Sequence, residues 1–188
     1  EQLGFLPLAH IAGRMFYTFS CIESGCIINL VEEPDTIFQD MQEISPTIHF
    51  AVPRVWEKQH SIIEIKIKEG TFLGKWAYKK ALKTGYEAAK FTKSGKPLPL
   101  FLKGSFFVAN LIVLRNIKRF LGIDNCRWLS TAAAPIAPEL IDWYWALGKP
   151  MLEVYGQTEC KNRQSTNRVH QEHICCDSLV EKKHALSD

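Results

Sequence analysis

An alternation constrains this chain more than anything else in it. Short apolar runs rich in β-branched residues take turns with longer stretches of helical spacing. Residues 26–30, 47–52, 127–130 and 150–155 read as strands. Leu6-Pro7-Leu8-Ala9-His10 reads as a strand end running into a turn. Between them the spacing predicts a largely apolar helix over 11–25 and a helix from Thr36, capped by Asp35 and ended by Pro46. Ile37, Phe38, Met41 and Ile44 form that helix's apolar face. A helix begins near Val55, and residues 62–90 read as lysine-rich helix with Gly70 and Gly74 as weak points. Residues 98–120 form a long apolar segment, and 138–147 an amphipathic helix. Strand and helix in turn predict an α/β fold, a mostly parallel sheet flanked by helices.

The chain has 188 residues, 46% hydrophobic and 23% charged, enough to bury a sizeable core. Its net charge of +3 is small and the basic residues read as scattered, so nucleic acid is not expected as a partner. Six cysteines at irregular spacing fit reduced thiols and a cytoplasmic location better than a disulfide framework.

Chemistry gathers at two places. The strand 150–155 runs into Gly156-Gln157-Thr158-Glu159, a turn that brings a hydroxyl and a carboxylate side by side. Thr158 can donate to a phosphate oxygen, and Glu159 offers hard oxygen ligands to Mg²⁺. Upstream, Ser130-Thr131-Ala132-Ala133-Ala134-Pro135 leaves another apolar strand as a loop of small residues. His10, alone, reads as a core histidine at a strand end. Trp143, Tyr144 and Trp145 read as packing, and Arg54, Glu57 and Lys58 as a structural ion-pair cluster. His170, His173, Cys175 and Cys176 are a weak zinc candidate, because their spacing lacks the usual partners.

Four strings in order resemble one family. They are Leu6–His10, Val52-Pro53-Arg54-Val55-Trp56-Glu57-Lys58, Ala132-Ala133-Ala134-Pro135-Ile136 and Tyr155–Glu159. Together the chain resembles the adenylate-forming enzymes, and within them the AMP-forming long-chain fatty acyl-CoA synthetases. The resemblance implies the central part of an N-terminal AMP-binding domain. It implies that Ala132, Ala133, Ala134 and Pro135 form one wall of an adenine pocket and Glu153, Val154, Tyr155, Gly156 and Gln157 the other. It further implies that Thr158 contacts the α-phosphate, that Glu159 holds Mg²⁺, and that His10 sits by the carboxylate of a long-chain fatty acid. The implied reaction makes an acyl-adenylate from fatty acid and ATP, and then a thioester as coenzyme A displaces AMP.

The sequence also departs from that family. The phosphate loop upstream of Leu6 and the Lys-bearing C-terminal domain are missing, Ala132 replaces the usual glycine, and the pattern stops at Cys160. The expectation is therefore a catalytically incompetent fragment, with 1–160 a partial AMP-binding domain and 161–188 a divergent, disordered polar tail. Two other readings stay open: a non-catalytic lipid- or membrane-binding remnant, and an adenylating ligase for another carboxylate. Residues 98–119 offer a peripheral membrane contact through an apolar segment with a basic end, too short and interrupted for a span.

Overall fold

The computed structural model describes residues 1–33, 35–155 and 165–167, the last three and Tyr155 through their backbone alone. Six strands form one sheet in the order β2-β1-β3-β4-β5-β6. They are β1 (Gln2–Gly4), β2 (Ile28–Leu30), β3 (Ile48–Ala51), β4 (Trp128–Thr131), β5 (Met151–Tyr155) and β6 (Ser165–Asn167). The first five are parallel, and β6 runs antiparallel to β5. The helices are α1 (11–24), α2 (Ile37–Ile44), α3 (Pro53–Glu69), α4 (Phe72–Lys93), α5 (Leu100–Phe120) and α6 (Pro138–Ala146). Both α1 and α5 contain a π-helical stretch, at Arg14–Phe19 and Asn110–Leu114.

The register settles which residues share a face. His49 lies level with Leu129, Ala51 with Thr131, and Leu129 with Met151, so these point to one side together with Leu3. That side carries the main core, which Met41, Trp56, Leu114, Leu140 and Tyr144 complete from the helices. Trp56 stands edge-on to Tyr144 at 5.2 Å, and the Tyr144 hydroxyl donates to the Trp56 carbonyl at 3.1 Å. On the opposite face α1 covers the β2-β1-β3 half, where Phe16 stacks on Phe50 at 4.6 Å.

Several local expectations shift. The strand expected at Leu6–His10 lies upstream at Gln2–Gly4, and Leu6–His10 are the turn that follows it. Thr36, not Asp35, is the residue before the first turn of α2, and its hydroxyl donates to Asp40 at 2.8 Å. The helix expected over 62–90 is two helices, α3 and α4. The Thr71 hydroxyl accepts from the Gly74 N–H at 3.2 Å and so starts α4 afresh after Gly70. Arg54, Glu57 and Lys58 are all exposed and make no ion pair among the described residues. Water solvates them, while Trp56 and Gln59 turn inward from the same helix. Helix α5 is, by length and composition, long and apolar enough to cross a membrane, with mean hydropathy 1.5 over its best window. Its C-terminal third is nonetheless fixed in the core by Leu114 and Ile117.

Candidate functional site

Parallel strands end on one edge, and all four motif strings stand at that edge, Val52–Lys58 directly after β3. The turn Leu6–His10 follows β1, the loop Ala132–Pro135 follows β4, and β5 reaches the same edge at Tyr155, the first residue of the fourth string. Strands β4 and β5 are neighbours, with Thr131 level with Glu153. The sheet order also reverses between β1 and β3, because the chain steps outward to β2 and returns past β1 to β3. At such a reversal a crevice opens outside the carboxyl ends of the strands, the usual ligand position in open α/β sheets.

Small side chains shape the β4 loop. Ala132 is half-buried and Ala133, Ala134 and Pro135 are exposed, whereas Ile136 anchors the loop in the core and Pro138 opens α6. Ala133 has φ +77°, a left-handed backbone that a Cβ disfavours. The strain falls at Ala133, one residue after the Ala132 that stands where the family has glycine. At the root of the loop Thr131 is fully buried and its Oγ1 has no hydrogen-bond partner among the described residues. Only the strand register shows that it points into the covered face, and no spacing signal would have done so.

On the facing strand Glu153 and Val154 are half-buried. Tyr155 is the last residue of β5 and pairs through its backbone with Ser165. Gly156, Gln157, Thr158 and Glu159 lie outside the described residues, as do Cys160, the tail residues 168–188 and with them His170, His173, Cys175 and Cys176. Among the described residues no three His, Cys, Asp or Glu side chains gather as a metal site.

His10 is exposed in the turn after β1 and not in the core. It is the residue before the first turn of α1, and its Nδ1 accepts the Ala12 N–H at 3.1 Å. An accepting Nδ1 places the ring proton of the neutral imidazole on Nε2, which is left as an outward donor. The turn is held from two sides. Arg14 Nε donates to the Leu8 carbonyl at 2.9 Å. Gly13 approaches the turn so closely that a Cβ there would come within 2.5 Å of the Pro7 carbonyl oxygen. Leu8, Ala9, Arg14, Thr18 and Phe19 line an open depression of about 510 Å³ beside this turn. A second, of about 430 Å³, lies below the β4 loop between Ala137, Glu139 and Trp143 on one side and Glu57, His60 and Tyr86 on the other.

The string Val52–Lys58 acts through packing. Pro53 starts α3, and Trp56 folds back so that its Nε1 donates to the Ala51 carbonyl at 3.1 Å. The aromatic set in α6 packs too: Trp143 donates to the Tyr78 hydroxyl at 3.0 Å and Trp145 to the Met151 carbonyl at 3.1 Å.

Residues 1–167 match the family described as AMP-binding enzyme. The long-chain-fatty-acid–CoA ligase ACSBG2 of Rattus norvegicus is 29% identical over 163 residues, 84% of this chain and 24% of that protein. The ligase of the same name from Xenopus laevis is 30% identical over 165 residues, 84% of this chain and 21% of that protein. The chain thus spans about a quarter or less of these relatives. Among solved structures, the A domain of a carboxylic acid reductase from Segniliparus rugosus, in complex with AMP and a co-purified carboxylic acid, superposes with TM-score 0.52 at 22% identity. It is matched over 87% of this chain and 22% of its own.

Proposed function

The chain belongs to the AMP-binding enzymes, and from that premise we propose that it carries the adenine side of the active site of a long-chain fatty acid–CoA ligase. One observation carries the reading. The loop Ala132–Pro135 leaves β4 at the edge where the adjacent parallel strand β5 ends in Tyr155, and the His10 turn leaves that edge too. In this reading a planar base lies against the small residues 132–134 on one side and against 153–157 on the other. Thr158 donates to the α-phosphate. Glu159 offers the oxygen ligands that Mg²⁺ prefers, and the ion would offset polyphosphate charge.

The carboxylate of the fatty acid takes the outward Nε2–H of His10, and the bond to Ala12 holds the ring at that angle. Bringing a carboxylate to a triphosphate is mainly a matter of orientation and charge, so positioning groups carry most of the work. Coenzyme A then accepts the acyl group and AMP leaves. We place the protein in the cytoplasm on the same reading.

The test is ATP–pyrophosphate exchange with palmitate, run beside Glu159→Ala. Exchange that depends on a fatty acid and disappears in the variant supports the ligase reading. Exchange supported equally by a short or aromatic carboxylate favours a ligase of other specificity. No exchange, together with no binding of an acyl-adenylate analogue, would overturn it.

A further inference from the structure

Charge is divided unevenly along this chain, contrary to the scattered distribution first read from its sequence. Residues 72–119, the α4–α5 hairpin, hold 11 of the 23 lysines and arginines and only one of the 20 acidic residues, Glu87. With a total of +3, everything outside the hairpin is net negative. Most of these cations are exposed to water, Arg119 while pairing with Asp124 at 3.5 Å. Lys79, Lys80, Lys83 and Lys90 are exposed on α4, and Lys103, Arg115 and Arg119 on α5.

The same hairpin shows an apolar face. Leu100, Phe101, Phe107, Val108, Leu111 and Ile112 are between 52% and 89% exposed. They recur every three to four residues, which puts them on one side of α5 over about 18 Å of helix. The other side of α5 is the one that packs, through Phe106, Val113, Leu114 and Ile117. Exposed Phe72, Leu73 and Trp76 add apolar surface at the start of α4.

We propose that the α4–α5 hairpin is a docking surface for an anionic phospholipid bilayer, with α5 lying in the plane of the interface and the α4 lysines over the headgroups. Large aliphatic and phenyl groups on one stripe, bordered by lysine and arginine, match the two layers of such an interface. A second copy of the chain fits badly, since a two-fold contact would set this positive surface against itself. Nucleic acid would meet the cations and leave six large apolar groups in water. The fixed C-terminal third of α5, with Leu114 fully buried, keeps the helix on the protein surface and out of a transmembrane position. This surface stands apart from the ligase reading, and it requires no nucleotide or catalysis.

The test is co-sedimentation of the 188-residue chain with vesicles of phosphatidylcholine alone or mixed with phosphatidylserine. Binding should appear on the mixed vesicles, weaken at least tenfold on the neutral ones, and fall as salt is raised. Each surface cation is worth roughly fivefold in partitioning, so the combined substitution Lys79→Glu, Lys80→Glu, Lys83→Glu should weaken it at least about 100-fold. Leu111→Asp with Ile112→Asp should abolish it while the far-ultraviolet circular dichroism and the melting temperature stay unchanged. The proposal fails if the chain ignores anionic vesicles, if both variants bind like the parent, or if the lipid-free chain is a dimer that Leu111→Asp with Ile112→Asp separates.

Discussion

At Ala133 a methyl group occupies a backbone that L-residues avoid, and the loop it strains is the proposed adenine wall. Its left-handed φ costs about 1–2 kcal/mol relative to glycine. Ala133→Gly should therefore raise stability by about 0.5–1 kcal/mol after the added freedom of the unfolded chain is subtracted. Ala132→Gly should give no such gain, and urea denaturation of the two variants compares them directly. His49 is the second unusual residue. It is fully buried against Phe5 and Trp56, both ring nitrogens lack partners among the described residues, and burial pushes its pKa down to about 3. In the unfolded chain it titrates near 6.5. Below that pH the unfolded state holds more protons, so stability is complete above about 6.5 and drains away toward pH 3. The loss is at most about 1.4 kcal/mol per pH unit. His49→Leu should flatten the melting temperature between pH 6.5 and 5. An equally steep fall in the variant would clear His49 of the acid sensitivity.

Helices and strands were legible in this sequence wherever a period or a breaker marked them. Pro46, Pro53 and Pro138 bound their elements as expected, and Met41 and Ile44 lie on the inward side of α2. The break at Gly70 was visible only as a weak point, because it takes the Thr71 cap to turn a poor helix residue into a boundary. The α4–α6 contact was invisible altogether, since nothing in the sequence around Gly85 says which backbone it meets. A Cβ at Gly85 would lie 2.2 Å from the Ala146 carbonyl oxygen, so the backbones meet there. Gly85→Ala should therefore destabilise, although alanine is the better helix former by nearly 1 kcal/mol. Overpacking of this kind costs about 1–3 kcal/mol, to be read as a lower urea midpoint with an unchanged slope.

For the molecule as a whole, four short strings were enough to indicate the family, but not to order the sheet. Nothing in Leu6–His10 or Ala132–Pro135 says that β1 and β4 flank β3; only long-range pairing does. That order puts His10 at the β1/β3 reversal, with β3 and β4 between β1 and β5. The residue then has two separable duties: Nδ1 caps α1, and Nε2 is proposed to meet the acyl carboxylate. His10→Ala removes both, with a stability loss of about 1 kcal/mol from the missing cap. His10→Asn keeps an acceptor for the Ala12 N–H and loses only the outward imidazole. Its melting temperature should match the parent's, while the rise produced by a palmitoyl-adenylate analogue should shrink. At 100 times its Kd a ligand stabilises by about 2.7 kcal/mol, and a tenfold weaker one by about 1.4 kcal/mol. If His10→Asn melts and responds to the analogue like the parent, the histidine is a cap and nothing more. If His10→Ala and His10→Asn share one lowered melting temperature, the ring and not the accepted hydrogen bond is what holds the turn.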